Sequence, residues 1–394
     1  MLQSYDVTRI QNRFKEQFNA EPLIVRSPGR VNIIGEHTDY NEGFVLPAAI
    51  DKAIYVAVSK SADNRIHLYA EDFSESFEAG LDAIQPSDKG WPNYILGVVD
   101  QFQKAGLAVG GFNLVLDGNV PIGAGLSSSA AVECATVYAL NELFGLGIDK
   151  MRMVKMAQKA EHTFAGVLCG IMDQFASMFG KAGHVIRLDC RSLEYEYEPL
   201  DMAGIVVLLL NTNVKHSLSS SEYNTRRSQC EQGVAWVKEH QPEVKSLRDV
   251  TPEMLIQHVL PKDELIYKRC KYVVEENIRL LEGCEDLKRG DVAALGKKMF
   301  QTHYGLSQEY EVSCKELDFL VDAVKDNPAV LGARMMGGGF GGCTINLIRE
   351  EAIQPLVERL SKEYKAATGL ELTPIVARIE EGTSVIKSEA YAGI

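Results

Sequence analysis

Twelve residues near the N-terminus read Gly29-Arg30-Val31-Asn32-Ile33-Ile34-Gly35-Glu36-His37-Thr38-Asp39-Tyr40. They combine an arginine, two acids, a histidine and two glycines beside the strand-like run 23–25. Buried polar groups need hydrogen-bond partners, and a hydroxyl-rich ligand is one source of them. The segment therefore predicts a pocket for a sugar or polyol, with Arg30 nearby for an anion.

The chain as a whole is acidic: its 394 residues carry 41 basic and 54 acidic side chains, a net charge of −13. This balance argues against nucleic acid or an anionic membrane as the main partner. The longest unbroken apolar run, 205–210, is far too short to span a bilayer. The eight cysteines lack C-x-x-C spacing and are expected to be free thiols, which together with the absence of a signal core predicts a cytoplasmic protein. The oligomeric state is left open, and a monomer is compatible with the sequence.

The secondary-structure signals predict an α+β fold rather than a doubly wound sheet, because helices are segregated from mostly antiparallel strands. The length favours two domains, and a change of pattern places them at 1–205 and 206–394. The expected helices are 91–104, 128–144, 150–164, 222–239, 265–283, 292–310 and 314–325; the expected strands are 54–58, 66–70, 112–116, 185–188, 195–197, 205–210, 343–348 and 374–377.

A second polar signal, 119–131, follows an expected strand and opens the helix 128–144. Its glycines allow a phosphate to approach the backbone, and the first helical turn adds unpaired N–H groups. The serines 127–129 are able to cap the helix, bind phosphate or ligate Mg²⁺. Three consecutive serines exceed what capping needs, so a phosphate loop is favoured. It is not a Walker A loop, since no lysine adjoins the serines.

A glycine-rich segment, 337–342, satisfies G-x-G-x-x-G. A dinucleotide site would require a helix after it, whereas 343–348 is strand-like. We therefore expect a backbone surface that packs against a ligand or the phosphate loop, rather than a Rossmann site or a merely mobile turn.

Two acids complete the candidate chemistry. Asp173 stands alone among apolar residues in 169–175, so it is either neutralised by a cation or acts as a base. Glu161 lies near the end of the helix 150–164. Taken singly, a structural Asp and a solvated Glu are the ordinary alternatives.

With these segments assembled, the chain resembles the galactokinases, members of the GHMP kinase superfamily that includes homoserine and mevalonate kinases. The segment 29–40 looks like the galactokinase signature, 121–131 like the superfamily's phosphate loop, and 337–342 like its third motif. The resemblance covers nearly the whole chain, including 216–218 and 221–224. It implies an N-terminal domain like ribosomal protein S5 domain 2, a ferredoxin-like C-terminal domain, and an active site between them.

The resemblance also implies ATP-dependent phosphorylation of the C1 hydroxyl of α-D-galactose in galactose catabolism (the Leloir pathway), with galactose and ATP as partners and Mg²⁺ as cofactor. A kinase for N-acetylgalactosamine and a non-catalytic galactose and ATP sensor are the alternatives. Met336 replaces a more usual Thr, which puts the role of that hydroxyl in doubt. For adenine contacts the segment 65–93, which includes Trp91, is a candidate.

The implied site residues fall into four groups. The sugar pocket would be lined by Glu36, His37, Thr38, Asp39 and Tyr223; the ATP phosphates would be held by Gly123, Ala124, Gly125, Leu126, Ser127, Ser128 and Ser129; Mg²⁺ would be bound by Ser129 and Glu161; and Asp173 would be the base or the anchor of the C1 hydroxyl, with Arg30 as its electrostatic partner.

Overall fold

The computed structural model describes residues 5–200, 202–214 and 219–387, so the segment 216–218 of the family resemblance lies outside the described residues. The strands are β1 (Leu23–Asn32), β2 (Phe44–Val45), β3 (Pro47–Lys60), β4 (Arg65–Ala70), β5 (Glu75–Gly80), β6 (Phe112–Gly118), β7 (His184–Asp189), β8 (Tyr195–Pro199), β9 (Ile205–Asn211), β10 (Val330–Met335), β11 (Cys343–Arg349), β12 (Thr373–Ala377) and β13 (Ser384–Val385).

The helices are α1 (Val7–Phe18), α2 (Asn93–Lys104), α3 (Ser128–Phe144), α4 (Lys150–Ala160), α5 (Met172–Phe179), α6 (Ser219–Lys238), α7 (Pro252–His258), α8 (Glu264–Lys288), α9 (Val292–Tyr304), α10 (Lys315–Asp322) and α11 (Ile353–Thr368). Two π-helical turns, Glu161–Ala165 and Gly305–Glu309, extend α4 and α9. These turns explain why the sequence pattern predicted longer helices there. No helix in the described part of the chain is long and apolar enough to cross a membrane.

The first sheet has the strand order β13-β1-β3-β6-β4-β5. Its strand β3 is buried on both faces: Val56 and Val58 enter the main core, whereas Tyr55 and Ala57 pack on the other side against Phe14 of α1. This two-sided burial is why β3 reads as a continuous apolar run. The strands β3 and β4 do not form a hairpin across their polar turn, because β6 lies between them and pairs with β4 in parallel.

The second sheet has the order β10-β11-β9-β12 and is antiparallel throughout. Numbered along the chain this is 2-3-1-4, the arrangement of a ferredoxin-like βαββαβ unit, so that expectation is confirmed. Side chains of β9 alternate, with Leu208 and Leu210 packing on the helices α10 and α11, and Val207 and Leu209 entering the main core. The strand β10 was missed by the sequence patterns.

A third sheet, β2-β7-β8, and a helical layer of α6, α7 and α8 complete the α+β fold. The paired strands predicted at 185–188 and 195–197 are present as β7 and β8. The boundary near residue 205 stays a prediction, and β13 returns from the far end of the chain to pair with β1.

Candidate active site

A cavity of about 160 Å³ lies between the end of β1, the loop that follows it, and the starts of α5 and α6. Of the predicted catalytic, metal and sugar residues, its wall includes Arg30, Glu36, His37, Asp39, Glu161, Asp173 and Tyr223. Residues 137 positions apart in the chain, Glu36 and Asp173, are thus brought to one surface.

The Arg30 guanidinium and the Asp173 carboxylate form a two-point ion pair, with Nε–Oδ1 at 2.9 Å and Nη2–Oδ2 at 3.0 Å. Arg30 is 5% exposed, and its Nη1 also donates to the Gly125 carbonyl at 2.6 Å. Burial acts to lower the pKa of Arg30, but the charges of Asp173 and Glu36 outweigh it, and the pKa is raised. One arginine therefore links the sugar cavity to the glycine-rich loop.

The hydroxyl of Ser127 donates to Asp173 Oδ2 and does not cap α3. Ser127 adopts a left-handed conformation at φ 57°, as do Gly123 and Gly125 at φ 75°. The first turn of α3 thus begins with no side-chain cap from the residue that precedes it. Unpaired N–H groups at a helix start favour an anion.

Within the predicted phosphate loop, the side chains of Ala124 and Leu126 are buried, so what they offer a phosphate is their main chain. Ser128 and Ser129 lie on the wall of a second, larger cavity of about 490 Å³. That cavity also has apolar and aromatic walls, which include Phe73, Trp91, Tyr94, Leu116 and Val132. Trp91 belongs to the segment that the sequence indicated for adenine.

An acidic cluster lies beneath Ser129. The Ser129 hydroxyl lies close to Glu161 and acts to lower its pKa, and Gln174 Nε2 donates to Glu161 at 2.7 Å and to Glu133 at 3.1 Å. Burial raises the pKa of Glu161, with repulsion from Asp173 adding to it, and burial likewise raises the pKa of Glu133. The second oxygen of Glu133 is buried and has no hydrogen-bond partner among the residues that the structure describes.

This donor set fits a divalent cation that is shared with phosphate. The described residues contain no group of three or more His, Cys, Asp or Glu arranged around a metal position. Mg²⁺ does not require one, since it is usually bound by one or two carboxylates, water and substrate phosphates. The Ser129 hydroxyl and the Glu161 carboxylate suit this kind of binding. They lie at the start of α3, next to further acids that repel Glu161.

The Glu36 carboxylate is held by a residue that the sequence patterns missed. Arg334 is fully buried on β10, donates to Glu36 Oε2 at 2.8 Å, and also binds the carbonyl of Ile33 at 2.9 Å. The Gly337 amide donates to the same Glu36 oxygen at 3.1 Å. Burial acts to raise the pKa of Glu36, but the charge of Arg334 and then that of Arg30 hold it below its usual value. A lone arginine in the apolar run 330–336 was the available signal.

His37 and Asp39 lie on the same wall of the cavity, and burial shifts their pKa values in opposite directions. Burial lowers the pKa of His37 to about 4, so its imidazole is neutral at pH 7. Burial raises the pKa of Asp39 to about 7, with repulsion from Asp173 next in importance. Asp39 approaches the Gly170 backbone so closely that a Cβ at 170 would lie 1.8 Å from its Oδ2. Any larger residue at 170 would therefore displace the Asp39 side chain.

Thr38 is placed differently from its prediction as a cavity residue. Its side chain is fully buried, and its hydroxyl lies 2.9 Å from the Gly35 carbonyl oxygen and 2.5 Å from that of Phe44. The hydroxyl is therefore used within the loop, where it fixes the turn that presents the neighbouring His37 and Asp39.

The third glycine segment joins β10 to β11, so a strand follows it and the Rossmann interpretation is excluded as expected. Met336 is buried at the start of this turn, and its amide pairs with the Cys343 carbonyl at 3.0 Å. A third cavity is lined by residues of this turn and by Gly123 and Gly125, so the two glycine segments face each other.

Three family models match the chain. The galactokinase galactose-binding signature matches residues 12–60, the GHMP kinases N terminal domain matches 93–181, and the GHMP kinases C terminal model matches 284–366. Each of the three segments singled out from the sequence lies within or beside one of these regions.

Relatives with known names align over most of their length. A galactokinase of Thermotoga maritima is 45% identical over 92% of this chain and 99% of its own, and one of Bacillus subtilis is 40% identical over 92% and 94%. The crystal structure of Lactococcus lactis galactokinase complexed with galactose superposes with a TM-score of 0.92 at 32% identity, covering 96% of this chain and all of that one. Methanococcus jannaschii mevalonate kinase, at 18% identity over 92% and 99% of the two chains and a TM-score of 0.64, shares the fold.

Proposed function

The chain belongs to the galactokinase family, and from that membership we propose that it transfers the terminal phosphoryl group of ATP to the C1 hydroxyl of α-D-galactose. The products are galactose 1-phosphate and ADP. The observation that carries the proposal for the site is the Arg30–Asp173 ion pair, which stands in a cavity walled by Glu36, His37 and Asp39 and connects directly to the phosphate loop.

In this proposal Asp173 receives the proton of the sugar hydroxyl while the oxygen attacks the terminal phosphorus and ADP leaves. A carboxylate offers about four acceptor positions. Arg30 and Ser127 hold both oxygens of Asp173 in place, and acceptor capacity remains for a sugar hydroxyl. Positioning and charge stabilisation are the main demands of phosphoryl transfer, and the fixed Arg30 meets both.

The nucleotide is proposed to lie with its base in the cavity beside Trp91 and its phosphates along 123–129. The apolar walls of that cavity suit a purine ring, and its floor ends at Ser128 and Ser129. The start of α3, uncapped by Ser127, supports phosphate binding by main-chain N–H groups.

Mg²⁺ is proposed to be held by Ser129 and Glu161, with Gln174 orienting the carboxylate. When bound, the ion would neutralise phosphate charge and polarise the transferring group. The raised pKa of Glu161 supports a cation at this site. Burial and the negative charge of Asp173 disfavour the ionised form of Glu161, and a bound cation would offset both effects.

The polar wall supports selection of a hexose by its hydroxyl groups. A site built to hydrogen-bond a hydroxyl strongly rejects an analogue that lacks it, since the buried partner is left unpaired. Glu36, Asp39, His37 and Tyr223 are the residues proposed for this recognition, and we place the reaction in cytoplasmic galactose catabolism, in keeping with eight free cysteines.

The test is release of ADP with galactose, glucose, N-acetylgalactosamine, arabinose, mevalonate and homoserine as acceptors. We expect turnover on galactose to exceed that on every other acceptor. Preferred turnover on N-acetylgalactosamine would reassign the chain to the sister kinase. Binding of galactose without any phosphate transfer would make it a sensor.

A further inference from the structure

A cluster of aromatic rings surrounds His37. The ring of Tyr40 lies 5.8 Å from the imidazole centroid, that of Tyr223 5.5 Å and that of Tyr310 5.1 Å. Tyr310 is fully buried and follows the π-helical turn after α9. In the chain it lies 270 residues after Tyr40, and it was not among the predicted site residues.

A continuous hydrogen-bond chain runs through this cluster. The Tyr310 hydroxyl lies 2.8 Å from the Tyr40 hydroxyl, which lies 2.8 Å from His37 Nδ1. At the far end, Cys230 Sγ lies 3.3 Å from the Tyr310 hydroxyl. The Tyr310 backbone is held at both ends, since its amide donates to Gly305 at 2.8 Å and its carbonyl accepts from Arg226 at 2.7 Å.

The direction of the protons follows from donor and acceptor strengths. Thiol sulfur is a weak acceptor, so the Tyr310 proton goes to the nearer phenol oxygen of Tyr40. Tyr40 is then an acceptor on that side, and its own proton points to His37 Nδ1. A neutral imidazole carries one proton, and with Nδ1 accepting, that proton is on Nε2.

We propose that Tyr310 is a positioning residue which, through Tyr40, holds His37 in the Nε2–H tautomer, so that the imidazole acts as a hydrogen-bond donor to the sugar. The inference rests on the proposed function, because it assigns His37 to sugar binding. His37 Nε2 is buried beside the Gly338 main chain and makes no hydrogen bond of normal geometry within the described residues, and both His37 and Gly338 line the sugar cavity. A donor fixed in advance discriminates among hydroxyl acceptors without the cost of reorganisation on binding.

The experiment compares Tyr310→Phe, Tyr40→Phe and the double variant with the wild-type full-length protein. The Phe variants keep the rings and remove only the hydroxyl groups. Tyr304→Phe is the matched control, because Tyr304 is near in the chain but its hydroxyl binds Asp322 at the surface.

The first measurement is the ¹⁵N spectrum of selectively labelled histidine without sugar, with His37 assigned from its absence in His37→Gln. We expect an Nε2–H imidazole in the wild type and in Tyr304→Phe, and an admixture of the Nδ1–H form in Tyr310→Phe. Because this measurement needs no sugar, its result tests the tautomer of His37 independently of the proposed function.

The second measurement is the kinetics with galactose. We expect Tyr310→Phe to raise the KM for galactose about two- to tenfold, the range that corresponds to one lost hydrogen bond. The value of kcat and the KM for ATP should each change by less than about twofold. The double variant should add little to Tyr40→Phe, because both act through one chain. An unchanged tautomer in Tyr310→Phe, or additive effects of the two variants, would overturn the proposal. So would a fall in kcat with the KM for galactose unchanged.

Discussion

Arg30 binds Asp173 through two nitrogens, with Nε 2.9 Å from Oδ1 and Nη2 3.0 Å from Oδ2, although the two residues are 143 positions apart in the chain. The contact joins β1 to the first turn of α5, and the same guanidinium reaches the glycine-rich loop through the Gly125 carbonyl. A single ion pair therefore fixes the distance between the sugar cavity and the phosphate loop.

The first prediction concerns Asp173→Asn. The amide keeps the shape but cannot accept the sugar proton, so we expect kcat to fall about 10²- to 10⁴-fold, the usual contribution of a positioned base. Galactose binding should change little by comparison, and the variant should stay folded, although it loses stability because the buried Arg30 is left without its counter-charge. The measurement is steady-state kinetics with calorimetric galactose titration, and Asp100→Asn, a partner of Lys104 on the outer face of α2, is the control. Near-normal turnover would show that Asp173 only orients the hydroxyl.

The second prediction concerns Arg30→Lys, which keeps the positive charge but loses the planar guanidinium that contacts Asp173 through two nitrogens. A lysine cannot make both contacts to Asp173 and also reach Gly125, so positioning is lost. We expect kcat to fall by about 10²-fold, with a smaller change in the KM for galactose. Kinetics over a range of galactose and ATP concentrations separate the two effects. A change confined to the KM for galactose would make Arg30 a substrate clamp.

Local patterns were enough to predict much of this architecture. The helix 128–144 was predicted with the bounds it has, because an alanine-rich run without breakers ends at a glycine. The glycine segments and Asp173 were found because each breaks the apolar pattern around it. The rejection of a Rossmann site also held, since it needed only the order of a turn and the following strand.

What local patterns could not supply were partners distant in the chain. Arg334 acts on Glu36, and Tyr310 acts on Tyr40, across gaps of 298 and 270 residues. The apolar run around Arg334 marks that residue as unusual but does not identify its partner, and no residue near Tyr310 in the sequence signals its role. Thr38 shows the converse case: its hydroxyl lies within hydrogen-bond distance of two carbonyl oxygens of its own loop, so its role in the sugar pocket stays a prediction.

The third prediction concerns Glu161→Gln and metal dependence. The amide is a weaker ligand for a hard cation, so we expect the Mg²⁺ concentration for half-maximal rate to rise several-fold, with excess Mg²⁺ restoring part of the rate. The check is the rate as a function of free Mg²⁺ at saturating ATP and galactose. Glu142→Gln, near the exposed end of α3, is the control. An unshifted Mg²⁺ curve would remove Glu161 from the ligand set.

The fourth prediction concerns Arg334→Met. The substitution leaves the buried Glu36 carboxylate without its main counter-charge, and breaking a buried ion pair from one side typically costs about 3–5 kcal/mol. We expect the free energy of unfolding in urea to fall by that order, and the double variant with Glu36→Gln to recover part of it. Arg359→Met, from an exposed pair with Glu363, should cost under about 1 kcal/mol. Equal losses in both arginine variants would contradict this assignment.

The fifth prediction concerns Asp39 and pH. Burial raises the pKa of Asp39 to about 7 from its ordinary value of 3.8, so between these values the folded protein holds a proton that the unfolded chain has released. Stability falls with rising pH wherever the folded state binds more protons, and this contribution is therefore present at pH 4 and lost by about pH 7. Asp39→Asn cannot titrate. We expect urea unfolding of the sugar-free wild type to lose more free energy between pH 5 and pH 8 than unfolding of Asp39→Asn, whereas parallel pH curves for the two proteins would show that the Asp39 carboxyl is already ionised in the folded state at pH 5.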